Sequence, residues 1–186
     1  MFKDLFNEKG TTLIEIVAVI SIITLFSMIL IADFPQIIRQ FAVSRSAYKL
    51  SQDIRKVADL GLSGVQIDGN SPKGGYGLYI DLSDNEQYII YADNCSDTPN
   101  FEYNDGCDFV VETIKISEQQ AGIYIKRINE DSSSASINFT PPSPKITITI
   151  PGITDPPNIY IVIGSSFDDG LERTVFVNTS GLIEVE

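Results

Sequence analysis

The sequence predicts an α+β protein, in which one long N-terminal helix, first apolar and then amphipathic, packs on an antiparallel β-sheet head. Three observations predict it. Residues 13–32, LIEIVAVISIITLFSMILIA, are apolar except for Glu15, Ser21, Thr24 and Ser27. Apolar residues then recur at helical spacing to about Leu60. From Gly74 onward the pattern alternates with period two and is rich in Ile, Val, Thr and Tyr.

The first segment has the length of a membrane span. Twenty residues at ~1.5 Å each extend ~30 Å, the hydrocarbon thickness of a bilayer. Neither Gly nor Pro interrupts it, and in lipid a helix satisfies its backbone polar groups internally. A buried helix of a soluble core would keep a polar face. A secretory signal peptide would have a shorter apolar stretch and a cleavage site of small residues, whereas Asp33, Phe34 and Pro35 follow here. Glu15 stands out, because a carboxylate near a span is costly unless it has a partner. Lys9 is six residues away. A cut after Gly10 would place the new α-amine of Thr11 one helical turn before Glu15, or against Glu15 of a neighbouring copy. Glu15 would also lie at the positive end of the helix dipole.

In the second segment Ile37, Phe41, Tyr48, Leu50, Ile54, Val57 and Ala58 form an apolar stripe with one slip between Tyr48 and Leu50. Ser44, Arg45, Ser51, Gln52, Arg55, Lys56 and Asp59 fill much of the other face. Pro35 predicts a kink or a loosened turn, and Gly61 and Gly64 are stop signals. One bent helix from about Thr11 to Leu60 is expected, its second half packing on the head. The unbroken periodicity stands against the alternative, an anchor joined by a linker.

Nine runs read as strands: 76–82, 87–92, 109–116, 122–128, 135–140, 145–150, 159–164, 173–178 and 182–186. SDNE, PPSP, PGITDPPN, SSFDDG and NTSG separate them as turns, and DSSSAS (131–136) is a polar loop. The short NTSG gap predicts a terminal hairpin. No second helix is expected, and ~120 residues make one domain of ordinary size.

The stretch KGTTLIEIVAVISII resembles the cleavage and methylation motif of type IV prepilins and type II secretion pseudopilins. A short polar leader, MFKDLFNEKG, ends in Gly10, and Glu15 is fifth after it. The resemblance implies a pilin-like fold divided as follows: a leader peptide at 1–10, a transmembrane and filament-core helix at 11–33, its amphipathic continuation at 34–62, and an extracytoplasmic β-rich head at 63–186. It implies cleavage after Gly10 by a prepilin peptidase, methylation of the Thr11 amine, and pairing of Glu15 with the N-terminal amine of an adjacent subunit. The usual first residue after the cut is Phe, and this chain has Thr11, which bears on methylation more than on cleavage. Lys3 and Lys9 precede the span and Arg39, Arg45 and Lys49 follow it, so charge alone leaves orientation open. The resemblance implies a single pass of the inner membrane with the N-terminus in the cytoplasm. Its partners would be the peptidase, other pilin or pseudopilin subunits, an inner-membrane assembly platform and membrane lipid. In the head, GYGLYI, YIIYAD, INFTPPS and the closing RTVFVNTSGLIEVE resemble minor pseudopilins of the GspH/FimT-like group; a major pilin is the alternative.

Charge is uneven. Residues 34–61 carry five basic and two acidic residues, and from Leu62 onward there are six basic and nineteen acidic ones. An acidic head repels phosphates, so no nucleic-acid partner is expected. Cys95 and Cys107 bracket eleven residues. In a compartment that permits disulfides a bridge is expected, with two free thiols as the alternative. Asp93, Asp97, Asp105 and Asp108 in the same loop are oxygen ligands of the kind calcium takes, but the spacing of an EF-hand is missing and a solvated acidic loop is the simpler reading. The chain has no His, which removes Ser-His-Asp and Cys-His arrangements; there is no phosphate loop or GxSxG elbow either. Neither a catalytic residue nor a cofactor is assigned. The expected function is a structural subunit, a minor pilin or pseudopilin of a type IV pilus or type II secretion pseudopilus. The alternative is a membrane-anchored β domain acting as an adhesin, sensor or enzyme.

Overall fold

The computed structural model describes residues 11–67, 69, 71–95, 98–119, 121–130, 132–141 and 145–186. The leader expected at 1–10 therefore lies outside the described residues. The chain divides into two compact units, Met1–Ile38 and Arg39–Glu186, and its secondary structure is α+β.

Helix α1 spans Leu13–Ser63 and contains Pro35. Residues 13–38 of it belong to the first unit. There every apolar side chain from Leu13 to Ile31 is exposed, Leu13 at 80% and Phe26 at 64%. Two of its hydroxyls are neutralised locally: Ser21 donates to the Val17 carbonyl at 2.8 Å and Thr24 to that of Ile20 at 2.7 Å. Bonds to the carbonyl four residues back let such side chains sit in apolar surroundings.

In the second unit α1 ends at Gly64, whose φ of +60° is the left-handed conformation that closes a helix. The nine strands are β1 Tyr76–Asp81, β2 Gln87–Ala92, β3 Phe109–Lys115, β4 Ile123–Ile128, β5 Ser134–Thr140, β6 Lys145–Thr149, β7 Asn158–Ser165, β8 Asp168–Asn178 and β9 Ile183–Val185. They form two antiparallel sheets, one in the order β3-β2-β1-β5-β6 and one in the order β4-β7-β8-β9. The expectation of no second helix is corrected by α2, a single turn at Ile116–Gln119. The strand expected at 173–178 is the second half of β8, because Asp168 pairs with Ser165 and the polar SSFDDG is mostly hairpin.

The core lies where the two inner sheet faces meet α1. Val43, Ala47, Leu50, Ile54 and Val57 of the helix are buried against Leu78, Ile80, Ile90 and Ile137 of one sheet and Ile125, Ile161, Ile163 and Val175 of the other. Their spacing of four, three, four and three keeps them on one stripe. This corrects the expected stripe: Phe41 is 70% and Tyr48 56% exposed. Each lies two positions from a buried residue, ~200° around the helix. Ser51 and Asp53, one of them assigned to the polar face, are buried instead.

Two local devices recognisable in the sequence fix the sheets. Gly77 of β1 lies under the ring of Tyr91, where a Cβ would come within 2.6 Å of the ring carbon Cζ. The NTSG turn is organised by Asn178, whose Oδ1 accepts from the N–H of Ser180 and of Leu182 at 3.0 Å each. Gly181 completes it with φ +97°.

The buried stripe sets opposite expectations for two neighbouring apolar residues. Leu50→Ala should destabilise the head by about 2–5 kcal/mol, whereas Phe41→Ser should stay within about 0.5 kcal/mol. Denaturant titration of the detergent-solubilised chain measures both, and equal losses would place the stripe elsewhere.

Candidate functional site

The residues singled out in the sequence lie in two places, one in each unit. At the start of α1, Thr11 is exposed and precedes the helix. Thr12 caps it: its carbonyl accepts from the N–H of Glu15 at 3.1 Å and of Ile16 at 3.2 Å, and its Oγ1 lies 3.4 Å from the Glu15 nitrogen. Glu15 thus occupies the third helical position, with the spacing of a capping box, and the positive end of the helix dipole favours its charge. Among the described residues no cation pairs with it. Gly10 lies outside the described residues. Downstream of Glu15 runs the exposed apolar surface to Ile31, and α1 is long and apolar enough to cross a membrane.

The second place is the loop between β2 and β3. Cys95 and Cys107 are joined by a disulfide, with Cα atoms 5.0 Å apart. Two of the four acids proposed from the sequence are buried and turned onto the loop's own backbone. Asp108 accepts from the N–H of Asn94 at 3.0 Å and of Asn104 at 2.8 Å, and Asp93 from that of Phe101 at 2.9 Å. Asp105 is exposed, 3.4 Å from the Tyr103 hydroxyl, and Asp97 lies outside the described residues. Among the described residues no three acidic or thiol side chains converge on one point. The buried carboxylates act as staples: a charged acceptor for an N–H that would otherwise be stranded is among the stronger hydrogen bonds available.

What the staples hold down is an aromatic cover. Tyr103 packs on Tyr79 with ring centres 5.1 Å apart, and edge-on to Tyr91 at 5.3 Å. Beneath it the outer face of the five-stranded sheet is polar yet closed: Tyr91 is fully buried and donates to Asn138 Oδ1 at 2.8 Å. Burial pushes the Tyr91 hydroxyl pKa well above its ordinary value. Burial also raises the Asp93 carboxyl, the Phe101 N–H opposes it, and the nearby charge of Asp108 adds to the rise.

Sequence reasoning missed a third polar group. Asp53, on the core side of α1, is 3% exposed. It pairs with Lys49 one turn earlier at 2.6 Å and accepts from the hydroxyl of Tyr88 on β2. Burial, and then this bond, raise the Tyr88 pKa. The signal available was the Lys-x-x-x-Asp spacing of an ion pair, but only the fold turns that pair inward to meet a tyrosine.

No family model matches the chain, and no curated protein or solved structure matches it.

Two measurements test the loop. Cys95→Ser should cost the head ~3 kcal/mol, the entropy of a loop of this length, and should shift Tyr103 signals in a tyrosine NMR spectrum. A carboxyl whose pKa is raised by folding binds its proton more tightly when folded. Its contribution is most favourable below the unfolded pKa of about 3.9 and is lost as pH rises toward the folded value. Asp93→Asn should therefore make stability fall less than in the wild type as pH is raised above about 4, read by denaturant titration at a series of pH values.

Proposed function

We propose that this chain is a structural subunit of an extracytoplasmic filament, a minor pilin or pseudopilin of a type IV pilus or type II secretion pseudopilus. One observation carries the reading: Gly10 and Glu15 stand at prepilin spacing immediately before an apolar helix surface that is exposed from Leu13 to Ile31. A surface of that extent needs lipid or other helices around it. The chain enters the inner membrane with its N-terminus in the cytoplasm. A prepilin peptidase cuts after Gly10 and methylates Thr11, and an assembly platform then moves the helix from lipid into a bundle of like helices.

Glu15 sets register in that bundle. A carboxylate in an apolar core is costly alone and tolerable when paired, and the α-amine of Thr11 on an adjacent subunit is the partner that cleavage creates. The head supplies surface contacts, and the subunit performs no catalysis and needs no cofactor.

Mass spectrometry of the N-terminal peptide from host membranes tests processing. A peptide beginning at Thr11 supports the proposal. A peptide beginning at Met1 or Phe2, in cells with active peptidase, returns the chain to the class of membrane-anchored β domains, an adhesin, sensor or enzyme. Glu15→Ala should leave insertion and cleavage intact while lowering filament incorporation at least about tenfold, the factor that 1.4 kcal/mol of lost pairing gives. Wild-type incorporation of that variant would remove the pairing role.

A further inference from the structure

We propose that the head carries a binding site for neutral carbohydrate on the outer face of the β4-β7-β8-β9 sheet. An open cleft of about 870 Å³ lies there, within the range of small-molecule sites. Tyr160, Val162 and Thr174 of the sheet line it, together with Asn129, Ser132, Pro151 and Ile153.

Tyr160 is the platform. Its ring is backed by Phe176, directly across the β7–β8 pair, at 5.0 Å between centres, and the residue remains 43% exposed. The backbone beneath it is clamped twice by Asn129: Asn129 N–H donates to the Tyr160 carbonyl and Tyr160 N–H to Asn129 Oδ1, each at 2.8 Å. Asn129 holds φ +48° to do so. A bulge between Ile125 and Arg127 keeps Ile125 and Ile128 in the core while leaving Arg127 exposed beside the cleft.

The ligand class follows from these groups. A pyranose presents a C–H face to an aromatic ring, whose negative π-face attracts it, and hydroxyls at its rim that both donate and accept. The side-chain amide of Asn158 has no hydrogen-bond partner among the described residues and offers both functions. The Ser132 and Thr174 hydroxyls add two more. Among the described residues the charged ones of the lining are Arg127 and Glu130, and Arg127 is already held by Glu172 at 3.4 Å. On a head that is strongly acidic, such a cleft disfavours an anionic ligand.

Saturation-transfer NMR on the full chain tests it, in a phosphocholine detergent because sugar detergents would compete. The probes are methyl glucoside, galactoside and mannoside and N-acetylglucosamine, with sialyllactose as the anionic control. Transfer to ring C–H protons of at least one neutral sugar is expected. Tyr160→Ala should weaken binding at least about tenfold, whereas Tyr160→Phe, which keeps the ring, should stay within about threefold. Asn158→Ala should weaken it with circular dichroism unchanged. No transfer to any neutral sugar, preference for sialyllactose, or full binding by a folded Tyr160→Ala would each overturn the proposal.

Discussion

The head depends on five side chains of α1. Val43, Ala47, Leu50, Ile54 and Val57 are the residues that α1 contributes to the buried core of the described head, and both sheets present their isoleucine-rich inner faces to the same core. Each fully buried Leu, Ile or Val contributes ~1.5–3 kcal/mol. Without the helix, the inner faces of both sheets would lose the side chains that cover them. The Lys49–Asp53–Tyr88 group, with its carboxylate and phenol buried, acts on the same junction. Its carboxylate is tolerated only where lysine and hydroxyl meet it, so it penalises any sliding of the helix along β2.

The strands were legible because apolar residues alternate along most of them, as in Tyr76, Leu78 and Ile80 or Ile146, Ile148 and Ile150, and period two then appears in the sequence. In β5 the residues between, Ser136 and Asn138, are polar even though they too are buried. The terminal hairpin was legible for a different reason: an asparagine three residues before a glycine supplies the turn's acceptor and its positive φ. The helical stripe was read partly wrongly. Phe41 and Tyr48 are the largest apolar residues of that segment, while the true stripe passes through Val43 and Ala47. Size misled: side-chain volume does not say which face of the helix meets the sheets.

The loop shows a second limit. Asp93 and Asp108 read as solvated acids or cation ligands, since composition reports what a side chain can bind but not what is nearby. The nearest groups prove to be backbone N–H donors of a chain that turns back on itself. Tyr103 was equally silent. Its place over Tyr79 and Tyr91 follows from the disulfide and the staples together, and no local pattern encodes it. The cleft beneath Asn129 likewise needs a bulge and two loops brought together by the sheet.

One element serves two purposes in this chain. The helix whose exposed residues begin at Leu13 is the same helix whose later turns fill the head's core. Peeling the second half of that helix from the head would bring Val43, Ala47, Leu50, Ile54 and Val57 into water together, so its attachment is only as strong as the cohesion of that core. A cavity at Leu50 or Ile54 would then loosen the docking of the helix as well as the fold.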